Sequence, residues 1–372
     1  MDNKKNIFIN SKQVELQLER DKLQDYINTK VCGQINPSMS LKIKLAIENL
    51  HKGKIETLKT EKLPGDASDR SFYRYSYKTG GAKKSLIVME LQEGFSGKNL
   101  SFIDVQEHLK KSGLRVPEIY GFDGDEKFLL LEDLGDETME RRLSFLDGKR
   151  KKNLYEKAVA LLVHLQVKAS IPKKPKSIAF TLSFDVEKFM FELNFFREHY
   201  LEGLLMAEIS NDDLINLNNE FLKLSQKLAQ EPRVFAHRDY HSRNLMVVGN
   251  ELAMVDFQDA RMGLCQYDLA SLLRDSYVVL DDSLRDGLIE YYILRIDEHY
   301  STNTDRKEFR KLFDFMSVQR NIKAIGTFAF QKMGKGNDFY LQYIPDTLRY
   351  VKENLEKYEE LKGLKDFFVK YI

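Results

Sequence analysis

Phe235-Ala-His237-Arg238-Asp239-Tyr-His241-Ser-Arg243-Asn244-Leu-Met-Val-Val248, followed by Ala253-Met-Val-Asp256-Phe257-Gln258-Asp259, is the stretch on which the reading of the chain turns. An Asp precedes an Asn by five residues, and an apolar run then leads to a second Asp. One carboxylate placed this way accepts or orients the proton of an attacking hydroxyl. An amide oxygen and a second carboxylate hold Mg²⁺ against a triphosphate, as hard oxygen ligands do. Asp239 is therefore expected to be the base, and Asn244 and Asp256 the metal ligands.

The order and spacing are those of kinase catalytic and metal loops. His237 and His241 stand four apart, but the Glu of an HExxH zinc helix is missing between them. They are read as loop support: His237 as a buried histidine bonded to backbone, and Arg238 as a structural cation beside the carboxylates.

Working outward, 372 residues exceed one typical domain and predict two lobes or domains sharing a cleft. Hydrophobic residues at 42%, charged residues at 31% and a net charge of +1 describe an ordinary globular chain with no global attraction to nucleic acid or anionic membrane. Basic runs at 148–152 and 173–176 lack interleaved aromatics and read as solvated loops. No secretory pattern or bilayer-length apolar run is present, so a cytoplasmic location without membrane partners is expected. Cys32 and Cys265 lie far apart and are read as small packed residues.

The pattern along the chain predicts an α+β, bilobal fold. Residues 1–45 read as an extension, with a loosely amphipathic helix over Val14–Ile27. Residues 46–134 read as a small β-rich lobe: Ser71–Tyr77 alternates and is rich in aromatics, Ser85–Met89 is continuously apolar, and Lys78-Thr-Gly-Gly-Ala82 turns between them. A helix over 99–111 and strands near Val116 and Phe128–Leu131 complete it. Residues 135–372 are mainly helical in pattern, interrupted by the strand–loop–strand of 233–256.

The passage resembles the phosphotransferase family that includes aminoglycoside, choline and fructosamine kinases. Within it, the similarity is strongest to bacterial anomeric kinases of N-acetylmuramate and N-acetylglucosamine in cell-wall sugar recycling. Gly65-Asp66-Ala67-Ser68 with Phe72-Tyr-Arg74, Leu129-Leu-Leu-Glu132-Asp-Leu134-Gly135, Tyr267-Asp268 through Arg274-Asp275, and Val318-Gln-Arg320 through Gly326 carry it. The resemblance implies a protein-kinase-like fold and ATP as co-substrate with Mg²⁺. It further implies that Gly65, Asp66, Ala67 and Ser68 form a phosphate-covering turn, with Glu132–Leu134 as the hinge meeting adenine. Where protein kinases carry V-A-I-K, this chain has Ile87-Val88-Met89-Glu90, so the phosphate-pairing lysine is absent. Arg70 or Arg74 is the expected substitute, and Glu107 reads as a surface glutamate.

Glu192 and Asn194 fall in the segment that lines the acceptor pocket in this family, and Asp259 and Arg320 are further candidates there. Arg320, Lys323, Lys332 and Lys335 with few nearby acids disfavour a polycationic acceptor and suit a neutral or carboxylated sugar. The alternatives are a kinase for another small hydroxyl compound, such as an amino alcohol or aminoglycoside, and a nucleotide-binding pseudokinase scaffold. Oligomeric state is not legible.

Overall fold

The computed structural model describes residues 7–8, 37–63 and 70–372 of the chain. The helix expected over Val14–Ile27, Cys32 and the turn Gly65–Ser68 lie outside the described residues. The chain divides into two compact units, residues 1–103 with 117–134 and residues 104–116 with 135–372.

The first unit is built on a sheet of β1 (Ile7–Phe8), β2 (Leu58–Lys62), β3 (Ser71–Thr79), β4 (Ala82–Glu90), β5 (Ile119–Asp123) and β6 (Phe128–Glu132). The spatial order is β1-β5-β6-β4-β3-β2; β1 runs parallel to β5 and the remaining pairs are antiparallel. Period-two alternation sends Tyr73, Tyr75 and Tyr77 of β3 inward beside Leu86 and Val88 of β4. Gly80 and Gly81, at φ 56° and 78°, close the β3–β4 hairpin. Two consecutive positive-φ positions match the right-handed twist of the strands and favour glycine.

Helix α1 (Pro37–His51) runs through residue 45, where the extension was expected to end. The physical reason is burial: Met39, Ile43, Ala46 and Ile47 fall on one helical face and pack against the β3 tyrosines. That face belongs to the core of the unit. The strand expected near Val116 begins instead at Ile119.

Helix α2 (Ser101–Lys111) passes from the first unit into the second at residue 104. From there His108 Nε2 lies 2.7 Å from the Ala169 carbonyl oxygen, and the Asp104 carboxylate accepts from the Ile178 amide at 2.8 Å. Glu107 pairs with Lys111 one turn on, at 3.3 Å.

The second unit is mostly helical: α3 (Met139–Leu143), α4 (Gly148–His164), α5 (Val186–Phe196), α6 (Asn211–Ala229), α7 (Gln266–Leu273), α8 (Asp282–Tyr300), α9 (Arg306–Lys335), α10 (Ile344–Leu355) and α11 (Lys362–Tyr371). The sequence marks many of the starts. Asp147, Asp185, Ser210, Asp281 and Asp305 cap α4, α5, α6, α8 and α9 by accepting amide hydrogens of the first turn. Two short ladders interrupt the helices, β7 (Arg233–Ala236) with β10 (Arg261–Leu264) and β8 (Leu245–Val248) with β9 (Glu251–Met254).

Helix α9, 30 residues long, runs through this unit and packs on α5, α7 and α10. Its crossing with α5 depends on Gly326, where an added Cβ would sit 2.7 Å from the Phe196 Cα. Backbone cannot move aside as a flexible side chain can. Gly326→Ala is therefore expected to destabilise the second unit by about 1–3 kcal/mol through overpacking. A lowered urea midpoint with an unchanged slope checks this.

Candidate active site

The loop between β7 and β8 is fixed by two acidic side chains two helical turns apart. Asp268, on α7, accepts the main-chain N–H of His237 at 2.6 Å on one oxygen and that of Arg238 at 3.0 Å on the other. Asp275, just past α7, accepts the N–H groups of Ser242 and Tyr277, each at 2.9 Å. Burial raises the pKa of Asp268 to about 7, against the opposing pull of these amides, and burial also raises that of Asp275. Arg243 adds a side-chain clamp. It makes two 2.9 Å bonds to Glu140, a 2.7 Å bond to the Tyr343 hydroxyl, and lies 3.8 Å from the Tyr277 ring centroid.

Within this frame the Asn244 side-chain NH₂ donates to the Asp239 carbonyl at 2.9 Å, and the Asn244 main-chain carbonyl accepts from the Val255 N–H at 3.0 Å. Those bonds orient the side-chain amide and couple the loop to the strand end that carries Asp256. Asp256 has φ 62° and Arg238 φ 83°. Neither is glycine, and such backbone persists only where surrounding bonds over-determine it. Gln258 Nε2 donates to Asp256 Oδ1 at 2.9 Å.

Asp239 faces cations. Lys323 Nζ lies 3.0 Å from Oδ1, Arg320 Nη2 3.7 Å from the same atom, and Arg238 Nε 4.0 Å from Oδ2. Burial alone would raise the carboxyl's pKa, but Lys323, Arg238 and Arg320 outweigh it and hold Asp239 well below the usual carboxylate range. Arg238 also meets Asp259 at 3.1 Å. His237 is buried; its main-chain amide donates to Asp268, and its ring meets the Val255 main chain. Burial lowers its pKa, with Asp256 and Asp239 pulling the other way.

Glu192 is buried on α5, accepting from Gln319 Nε2 at 3.0 Å, with Lys188 Nζ 3.8 Å away. Glu192 Oε1 and Asn194 Oδ1 are buried without hydrogen-bond partners. In the first unit, Arg74 forms a two-pronged pair with Asp133 at 2.8 and 3.0 Å. The Glu132 amide and carboxylate both bond the Glu118 main chain. Glu90 stands at the end of β4, where the kinase lysine is missing.

Lys323, Asp268 and Asp275 were not among the sequence candidates. A signal for Lys323 exists: it stands three residues after Arg320, on the same helical face. Lys332, by contrast, is on the surface and pairs with Asp338 at 2.9 Å. Among the described residues no group of three or more His, Cys, Asp or Glu gathers as a metal cage. No helix among them is long and apolar enough to cross a membrane.

A profile of the phosphotransferase enzyme family matches residues 59–306. The chain belongs to this family. Among curated relatives, the phosphotransferase is 30% identical over 302 residues to an N-acetylmuramate/N-acetylglucosamine kinase of Pseudomonas aeruginosa, covering 80% of this chain and 85% of the relative. It is 29% identical to a Neisseria meningitidis serogroup B kinase of the same name, covering 82% and 89%. Among solved structures it resembles an ADP-bound aminoglycoside phosphotransferase, with TM-score 0.53, 15% identity and coverage of 83% and 98%. It also resembles a choline kinase from Cryptosporidium parvum Iowa II, with TM-score 0.56, 13% identity and coverage of 84% and 93%. The protein-kinase-like fold of this phosphotransferase is thus the one its sequence implied.

His241 supplies a test of the site's electrostatics. Burial lowers its pKa from 6.5 to about 3, the Asp239 carboxylate opposing and Arg320 reinforcing the shift. The unfolded chain takes up this proton below pH 6.5 while the folded chain does not, so this part of the stability is lost as pH falls from that point. His241→Gln is expected to flatten the fall in unfolding free energy between pH 6.5 and roughly pH 5 by about 1.4 kcal/mol per pH unit, one proton's worth. Parallel denaturant titrations of both proteins measure it.

Proposed function

We propose that this phosphotransferase moves the γ-phosphoryl of ATP onto the anomeric hydroxyl of an N-acetyl amino sugar of the N-acetylmuramate/N-acetylglucosamine class. The observation that carries the reading is Asp239, held on a pinned and locally strained loop with its carboxylate ionised. The acceptor hydroxyl hydrogen-bonds to that carboxylate. As its oxygen bonds to the phosphorus, the bond to the β-phosphate oxygen breaks, ADP leaves, and the hydroxyl proton passes to Asp239. A carboxylate stabilised by three cations is a weak base, so its main work is orientation. An anomeric hydroxyl, more acidic than an ordinary alcohol, asks little more.

Asn244 and Asp256 fit a Mg²⁺ site. The Asn244 NH₂ is committed to the loop backbone, which leaves its oxygen as the ligating atom, and Asp256 keeps one oxygen free of the Gln258 bond. Two oxygen donors without a protein cage suit an ion that keeps waters and binds substrate phosphates. When bound, Mg²⁺ neutralises charge on the β- and γ-oxygens. We assign nucleotide recognition to residues 46–134, with the Gly65–Ser68 turn and the main chain of Glu132–Leu134 as its contacts. Arg238, His237 and His241 support the loop. Glu192, Asn194, Asp259 and Arg320 are assigned to the acceptor side, in residues 135–372.

Choline and aminoglycosides are cationic, and one lysine and one arginine of α9 crowd Asp239. Like charge at the acceptor position is costly, which favours a neutral or anionic sugar.

Purified protein with Mg-ATP is expected to turn over N-acetylmuramate or N-acetylglucosamine and to leave kanamycin and choline unphosphorylated. Asp239→Asn should lower kcat about 10²–10⁴-fold with ATP affinity retained. Nucleotide binding without turnover of any acceptor would instead indicate a pseudokinase. Gln258→Leu removes the bond that orients Asp256. It is expected to raise the Mg²⁺ concentration for half-maximal rate by roughly 10–100-fold, as loss of such outer partners does elsewhere.

A further inference from the structure

Beside Asp239 the second unit forms a half-open cavity of about 70 Å³, lined by Arg320, Lys323 and Thr327 of α9 and by Ser271, Arg274 and Tyr277. It is smaller than the ~300–1,000 Å³ pockets that take whole small molecules, so it suits one substituent of an acceptor. One water claims about 30 Å³ of liquid, so the space suits a single polar group.

Three cations, Arg274, Arg320 and Lys323, and two carboxylates, Asp239 and Asp275, line it. Arg274 is matched by Glu353 at 3.0 Å and Arg238 by Asp259 at 3.1 Å. Asp275 lines the cavity too, its oxygens taken by the main-chain amides of Ser242 and Tyr277. That leaves Arg320 and Lys323 sharing one carboxylate, Asp239. Arg320 Nε, moreover, is buried with no hydrogen-bond partner, as is Arg274 Nε. Buried donors left unpaired are costly, and a guanidinium with free N–H groups is shaped for a carboxylate.

We propose that this cavity is an anion subsite that takes a carboxylate carried by the acceptor, with Arg320 and Lys323 as its cations. The inference rests on Asp239 facing the acceptor. It assigns N-acetylmuramate, whose lactyl ether bears a carboxylate, as the preferred sugar over the neutral N-acetylglucosamine. Lys323 bridges the two functions, touching the carboxylate that orients the hydroxyl and bordering the subsite. The long basic side chains of α9 thus divide: Arg320 and Lys323 serve the site, and Lys332 serves the surface.

The test is equilibrium binding of both sugars to the full chain by calorimetry, for the wild type, Arg320→Met and Thr327→Asp. The wild type is expected to hold N-acetylmuramate about 10–100-fold tighter than N-acetylglucosamine, the worth of a charge-assisted hydrogen bond. Arg320→Met should erase most of that ratio. Thr327→Asp, which sets a negative charge in the same wall without deleting a buried cation, should do the same or invert it. Equal wild-type affinities, or a preference that survives both substitutions in folded protein, overturns the subsite. Turnover of the same samples with Mg-ATP separates the two readings. A binding preference without phosphorylation upholds the subsite and removes the kinase assignment; phosphorylation of both sugars without a preference does the reverse.

Discussion

The candidate site depends on a buried carboxylate, that of Asp268, which receives two consecutive main-chain amides at the start of the loop. The second of these belongs to Arg238, whose φ of 83° is unfavourable for any residue with a Cβ. Without that acceptor two amides would be buried and unpaired, at about 1–3 kcal/mol each, and the local strain would go uncompensated. The direction of Asp239 follows from the turn at Arg238. So does the register that lets Asn244 bond back to the Asp239 carbonyl.

The second constraint is electrostatic. A partly buried Asp among Arg238, Arg320 and Lys323 is a cluster in which each member makes the others tolerable. Removing one charge exposes the rest to the cost of an unpaired buried ion, which exceeds the net worth of the intact pairing. The cations arrive from two directions, Arg238 along the loop and the other two from α9. The position of α9 therefore enters the chemistry, and its close crossing over the Phe196 backbone at Gly326, one turn beyond Lys323, is part of what sets it.

Much of this was legible in the sequence, because the informative features were local. The Asp–Asn–Asp spacing, the alternation of β3 and the glycine pair of its hairpin are each decided within a few residues. The α1 boundary was misplaced because its apolar face has meaning only beside the β3 tyrosines, which are distant in sequence. Lys323 was read only as one of several basic residues on α9. Long charged side chains leave the same trace in sequence whether they snorkel to water or meet a carboxylate. Only the placement of Asp239 opposite that face separates Lys323 from Lys332.

The missing strand lysine can be weighed in the same terms. In kinases that lysine brings positive charge to the phosphates from the nucleotide-binding lobe. Here β4 ends in Glu90, and Arg74 on the neighbouring strand pairs with Asp133. Arg320 and Lys323 of α9 gather at the other reacting partner, around the carboxylate expected to face the acceptor. A loose phosphoryl-transfer transition state spreads charge over the moving group, and what matters is that positive potential lies near its path. Lys323, beside the carboxylate proposed to orient the acceptor, would supply such potential from the acceptor side.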